Sequence, residues 1–497
     1  MIDIKTWLEN NRKIIKIVSL SVISLLAILT LALIPINIFC VNFPEWIIIL
    51  LSVFFCGGLV TYLSFFKTKL VTKIILPIVF AIVAVGCSLF VYAFPYWNSY
   101  AFKEYDGVWL NYDEVITYKA AEEDINELKH YIKRTHPMFK NGLSEEVKNA
   151  FTMSLHRLKN EDKITVNDLR REIQTVLHLM GDAHTTTYNN YPNDAYLKVI
   201  PQKNFDGYSI TAINGKSVKQ IIDDVKPYYC YETEDWINVD LGSLATLDFL
   251  GYSEPFTYTW SNGENTIEQT YTADDFVSWN DFVEIRNGYY VPSEPKEFVY
   301  YDIDEQKSLA VLTLTQCTYN QTYINCVKEM FAEVKQKNIQ NVAVDLRGNG
   351  GGNSLVGNEF VKYLPIDSYY DGSFDWRWNY ITIHGNNGKI KNERSKNLAF
   401  EGNVYILTDS GSFSAAKDFA MLIQDNNFGK IVGEPPANSV NGYGDITNFR
   451  LRNTGLFVQI STKKWYRIDQ TKTDDYVMPD YPCNGNDCFA KLYEIIG

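Results

Sequence analysis

Three long apolar stretches fill nearly all of the chain before Tyr100: Ile17 to Phe39, Trp46 to Phe66 and Ile74 to Phe94. A helix that crosses a bilayer needs about 20 predominantly apolar residues, so the spacing predicts three transmembrane helices within residues 1–98. The first stretch is too long for a secretory signal, lacks a small-residue cleavage pattern and is followed by two further spans, so none is expected to be removed. Arg12, Lys13 and Lys16 precede the first span, and Lys67, Lys69 and Lys73 fill the link between the second and third. The turn from Cys40 to Glu45 carries no Lys or Arg. Basic residues collect on cytoplasmic loops. The N-terminus is therefore expected in the cytoplasm, and three crossings put everything after Trp97 outside the cell membrane. The spans hold no charged residue, which favours anchoring in the lipid bilayer over transport.

A chain of 497 residues exceeds one ordinary core. The net charge is −13, and because the first 97 residues carry seven basic and three acidic side chains, −17 falls on the remainder. So acidic a region is not expected to bind nucleic acid. Residues 99–195 read as a helical domain, with Ile125, Leu128 and Ile132 on one face and Leu169, Ile173, Val176 and Leu177 on another. Residues 196–296 read as a mixed, mostly β module, in which Tyr208 to Ile213 runs into the turn Asn214-Gly215 and a helix follows from Val218 to Val225. From residue 297 to 497 strands and helices alternate: strands at Leu309 to Leu314, Val342 to Leu346 and Val404 to Leu407, helices near Tyr323 to Lys335, Ser354 to Tyr363 and Ser414 to Ile423. That alternation predicts an α/β core with parallel strand pairs.

Two loops in this last region carry candidate chemistry. The strand at Val404 leads through a polar loop into a helix that opens with Ser414. Unsatisfied amides and the positive end of the helix dipole lie at such a position and can stabilise negative charge developing in acyl transfer. Serine is also a favoured N-cap, so capping is the plainer role for Ser414. The strand at Val342 ends in Gly350-Gly351-Gly352, without the Gly-Lys-Ser/Thr of a phosphate loop. Consecutive glycines either make a flexible turn or let backbone amides approach an oxyanion. Among six histidines, His130, His156 and His178 lie in helical pattern, His136 precedes Pro137 and reads as structural, and His384 lies in an aromatic segment that reads as a strand or flap. His184 follows a helix stop in Gly181-Asp-Ala-His-Thr185, at a bend between modules.

These residues resemble a known family, the carboxyl-terminal processing or tail-specific serine peptidases with their tricorn-type relatives. The resemblance runs from about Glu122 to Pro479 and rests on motifs in one order: Thr135-His-Pro137, Gly181-Asp-Ala-His-Thr185, Ile213-Asn-Gly-Lys216, Asp345-Leu-Arg-Gly-Asn-Gly-Gly-Gly352, Ser412-Phe-Ser-Ala-Ala416, Ile431-Val-Gly-Glu434 and Pro479-Asp480. It implies a crotonase- or ClpP-like α/β catalytic domain with Ser414 as nucleophile. Processing peptidases carry a lysine base shortly after Val-Gly-Glu, where this chain has Ser439. The resemblance to the tricorn-like branch then implies His184 as base, with Asp474 or Asp475 to orient it. Gly351, Gly352 and the amide of Ala415 would hold the oxyanion. Lys417 stands where relatives commonly have Glu and is expected to face solvent. The stretch around Asn214-Gly215 resembles part of a PDZ-like module.

The reading that follows is a membrane-anchored serine endopeptidase with protein or peptide substrates. Its rival is a catalytically silent relative whose cleft binds a peptide or small ligand. No cofactor is expected, and no metal either, because no second Cys or His pair has the spacing of a zinc site. Cys483 and Cys488 flank a short loop and form either a disulfide or two unpaired thiols.

Overall fold

The computed structural model describes residues 7, 11–39, 45–65, 78, 99, 107–188, 190–198, 208–282 and 297–497, apart from 380, 387 and 396. The two apolar stretches that fall in it are helical, α1 at Arg12–Phe39 and α2 at Glu45–Phe65. Within α1, Arg12–Thr30 has a mean hydropathy of 2.1 and is long and apolar enough to cross a membrane. The apolar stretch Leu50–Leu63 within α2 is shorter. The third expected span, Ile74 to Phe94, lies outside the described residues but for Ile78.

Three capped helices follow. Thr117 and Ser144 accept amides at the starts of α3, Tyr118–Thr135, and α4, Glu145–Lys159. Thr165 and Asp168 form a reciprocal capping box on α5, Val166–His178. The faces expected to be apolar are the buried ones, from Ile125 to Ile132 and from Leu169 to Leu177. Their core is completed from far along the chain by Phe449, Leu451, Leu456, Val458 and Ile460. The ring of Tyr131 stacks on Phe449 at 4.1 Å.

The mixed module is a four-stranded antiparallel sheet with a helix beside it. Strand β1, Ser209–Ile213, turns at Asn214 and Gly215, both with positive φ, into β2, Lys216–Ser217, and α6 covers Val218–Val225. Such a pair of left-handed residues is what a tight hairpin turn of this twist requires. Strands β3, Phe256–Ser261, and β4, Thr266–Tyr271, complete the order β2-β1-β3-β4.

The α/β core holds β5, Val299–Asp304, β6, Leu309–Leu314, helix α7, Gln321–Gln336, β7, Asn341–Asp345, and α8, Leu355–Val361. A hairpin of β8, Ser373–Trp378, and β9, Ile381–Asn386, is inserted before β10, Asn403–Thr408. Helix α9, Ala415–Asp425, and β11, Lys430–Gly433, lead to a second long hairpin, β12, Tyr443–Arg450, and β13, Phe457–Tyr466. Strand β14, Tyr481–Pro482, and α10, Cys488–Ile496, close the core. The main sheet runs β5-β6-β7-β10-β11-β14, antiparallel at its first pair and parallel thereafter. Successive side chains of a strand point to opposite faces. Val342 and Val344 of β7 accordingly join the core under α7, α8 and α9, while Ala343 joins the smaller one under α10. Burial on both faces is why β7 reads as a continuous apolar run. A second sheet has the order β9-β8-β13-β12, and Thr186-Thr187, just beyond His184, pairs with β13. Cys483 and Cys488 are unbonded thiols, and Cys488 is buried.

Candidate active site

Strand β10 delivers the chain into a loop tied down at nearly every step. The Ser412 hydroxyl donates to the carbonyl of Leu346 at 2.8 Å, and the amide of Phe413 donates to the carbonyl of Asn349 at 2.9 Å. Ser414 then adopts φ 54° and ψ −121° at the N-cap of α9. A positive φ in a residue with a Cβ is strained and persists where surrounding contacts over-determine it. Here the Ser414 amide donates to Oδ1 of buried Asn438 at 2.8 Å. Its side chain accepts no capping hydrogen bond. The plainer role of serine at a helix start is therefore not the one Ser414 plays.

The glycine loop packs directly against it. A Cβ on Gly351 would lie 2.7 Å from the Cβ of Ser414 and 2.8 Å from the carbonyl oxygen of Phe413, and one on Gly352 would lie 2.4 Å from the carbonyl oxygen of Cys317. With φ at 99° and 136°, both positions require glycine. The expectation for Gly351 changes in one respect: its amide donates to Asn349 Oδ1 at 2.9 Å and is not open to an oxyanion. The amides of Gly352 and Ala415 have no acceptor among the described residues.

His184 and Ser414 line one cavity of about 1250 Å³, with Gly352, Phe413, Trp236 and Asp445 also in its wall. His184 is only 8 % exposed. Its imidazole tilts against the Phe413 ring at 4.4 Å, and Phe413 in turn stacks on Trp236 at 4.1 Å. The backbone of His184 is fixed on both sides: its amide donates to Asp182 Oδ1 at 2.9 Å, and its carbonyl accepts from Gln459 Nε2 at 2.7 Å. Neither ring nitrogen has a hydrogen-bond partner among the described residues. Nδ1 lies 3.6 Å from Asp182 Oδ1, beyond hydrogen-bonding range.

The carboxylates beside His184 are Asp182 and Glu232, each with an oxygen in a group whose ligand-capable atoms all lie within 4.8 Å of one another. Asp474 is exposed, and the contact it makes is through its backbone carbonyl, which accepts from Arg467 Nη1 at 3.0 Å. Asp475 is likewise exposed and offers its carbonyl to the amide of Val440. The carboxylates placed beside His184 thus come from upstream of Ser414, not from the downstream Asp474 or Asp475. Burial alone would raise the Asp182 carboxyl, but the hydrogen bond from His136 and the charge of His136 and His184 hold it well below the usual range. His136, fully buried, donates Nε2–H to Asp182 Oδ2 at 3.1 Å, so its structural role includes carrying this carboxylate. Burial pushes Glu232 up to about 7, reinforced by the charge of Asp182 and opposed by His184, the Ser439 amide and Lys417. Glu232 Oε2 accepts that amide at 2.7 Å, and Oε1 has no partner among the described residues.

Lys417 does not face solvent. Its side chain is 3 % exposed, pairs with Asp418 at 2.7 Å and borders a small cavity with Ser414 and Asn438. A residue three places along a helix shares a face with the first, which folds Lys417 under Ser414. His384, in β9, is 74 % exposed and bound to Asp375. His130, His156 and His178 lie in α3, α4 and α5. Asp182, Glu232, Asn349 and Asn438 were not singled out by the sequence. Two of them carried a signal by lying inside the family's motifs, Asp182 two residues before His184 and Asn349 just before the three glycines.

Residues 308–483 match the family model described as Peptidase family S41. Among solved structures, mature CPAF complexed with lactacystin is similar with a TM-score of 0.53 and 12 % identity, over 76 % of this chain and 97 % of that one. A crystal structure of a CPAF mutant gives 0.55 and 12 %, over 76 % and 95 %. The photosystem II D1 C-terminal processing protease gives 0.42 and 13 %, over 77 % and 98 %. At these identities the CPAF likeness is one of fold.

Proposed function

We propose, from the premise that this chain is a serine peptidase by its family S41 domain at residues 308–483, that Ser414 is the nucleophile and His184 its base. The observation that carries this reading is the strained Ser414 at the mouth of α9, its hydroxyl uncommitted to capping, in a cavity that His184 also lines. In acylation the imidazole takes the Ser414 proton as the hydroxyl attacks a peptide carbonyl, then returns it to the leaving amine. Water repeats the sequence to release the acyl group. The amides of Gly352 and Ala415 receive the oxyanion, a contact whose loss raises the barrier by roughly 3 to 4 kcal/mol. Asp182 and Glu232 stabilise the imidazolium in place of Asp474. Substrates are proteins or peptides, for which the cavity of about 1250 Å³ offers room.

The test is a fluorophosphonate probe on the full chain: labelling of the wild type that disappears in Ser414→Ala and falls sharply in His184→Ala. A wild type that resists the probe and cleaves no peptide library points instead to a cleft that binds without reacting. The proposed setting is a three-span anchor with the catalytic half outside, supported by the apolar α1 and the distribution of Lys and Arg. In sealed vesicles of known orientation, protease added to the outer face should release a fragment containing Ser414. Protection of that fragment would overturn the topology and leave the chemistry standing.

A further inference from the structure

We propose that Asp182, His184 and Glu232 form a binding site for a divalent cation of the zinc type, and that filling it silences the peptidase. The silencing rests on His184 being the base, as proposed above; the binding does not.

The donor set carries the first argument. One imidazole and two carboxylates suit zinc, and three such atoms lie here within 4.8 Å of one another. Ligand bonds of about 2.0–2.2 Å place neighbouring donors of a tetrahedral site about 3.4 Å apart. Asp182 Oδ1 and His184 Nδ1, at 3.6 Å, already stand at that separation. Glu232 has only to turn a carboxylate whose Oε1 is uncommitted.

The second argument is independent of spacing. Both ring nitrogens of His184 and Oε1 of Glu232 are buried without a hydrogen-bond partner among the described residues, a condition that calls for a specific cause because buried polar groups are almost always paired. A cation meets a nitrogen and the carboxylate oxygen together, and its two charges balance the two carboxylates. The surroundings are those of a ligand set held in place: Asp182 Oδ2 takes hydrogen bonds from His136 and from the Thr185 hydroxyl, and Glu232 Oε2 takes the Ser439 amide. Such supporting contacts orient metal ligands. The fourth position is left to water.

Ligation through Nδ1 fixes the imidazole proton on Nε2. A ring in that state cannot accept the proton of Ser414, so the metal and the acyl-transfer step compete for one histidine. Chelation restores the base.

The experiment uses the full chain in detergent as Ser414→Ala, stripped with chelator, so that binding is read without turnover. Cobalt(II) is titrated in and followed by its visible absorption, then displaced by zinc in a calorimeter. One equivalent with the bands of a four- or five-coordinate ion is expected, weakened at least tenfold by Glu232→Gln and by His184→Asn. Absent bands, or binding that both variants leave unchanged, overturns the site. Each variant is first checked for an unaltered thermal melt, and either one that folds decides. In the wild type, zinc should slow fluorophosphonate labelling in step with occupancy and chelator should reverse it. Zinc that binds without slowing labelling overturns the silencing. A stripped wild type that is never labelled defeats the peptidase reading, while the cobalt titration still decides the metal site.

Discussion

Around Ser414 the backbone is pinned by side chains on every side, Asn349, Ser412 and Asn438 each accepting or donating at 2.7–2.9 Å. Around His184 the backbone is pinned as firmly, but the ring is not: both nitrogens lack partners, and the nearer carboxylate stands off at 3.6 Å. Under the proposed mechanism one wall of the cavity is finished before substrate arrives and the other is completed by what enters it. Preorganised dipoles serve charge that always develops in one place. A base of the kind proposed for His184 is better left uncommitted at rest, and the proposed cation site draws on the same openness.

The comparison is broken most directly at His184. His184→Ala should lower amide hydrolysis by at least about a thousandfold, and added to Ser414→Ala it should cost nothing more, because the two act as a unit; steady-state kinetics on both backgrounds decide. Next comes Gly351→Ala, whose new methyl would meet the Ser414 Cβ at 2.7 Å. A displaced nucleophile should react about a hundredfold more slowly with the fluorophosphonate, and the clash with backbone at a left-handed position should lower the thermal melt as well.

On the base side, Glu232 is raised from 4.5 to about 7 by burial. The folded chain then holds a proton that the unfolded chain has released, so between about pH 4.5 and 7 stability falls as pH rises, by up to about 3 kcal/mol. Glu232→Gln should flatten that slope in urea titrations across the window. The smallest effect belongs to Asn438→Ala, which strands the Ser414 amide for about 1–3 kcal/mol. If it slows labelling no more than stability predicts, the pinning of the nucleophile is structural alone.

Much of this was legible in the residues. Helix α6 runs from Val218 to Val225 as its apolar spacing predicts, and β7 and β10 lie within a residue of their apolar runs. Ser414 and the glycines were readable because strand, loop and helix are consecutive. What escaped was non-local. Strands β12 and β13 lack clean alternation, with Lys463, Lys464 and Trp465 crowded at one end, and their apolar residues serve a core made of helices some 300 residues earlier. Lys417 looked like a surface residue because nothing in its own helix marks it as buried, yet its side chain is 3 % exposed and borders a cavity shared with Asn438. Glu232 joins His184 from a Tyr-rich stretch with no fixed spacing to it, so a search for paired Cys or His ligands had nothing to find.

The pairing of Thr186-Thr187 with β13 sets a timetable for biosynthesis. Chains emerge N-terminus first, so His184 is made long before Gln459, which grips its carbonyl, and before Ser414, which it would activate. A nascent chain halted short of residue 457 already holds nucleophile and imidazole but has no strand to hold them to each other. The contacts that fix the His184 backbone can therefore form only once Val458 and Gln459 have been made.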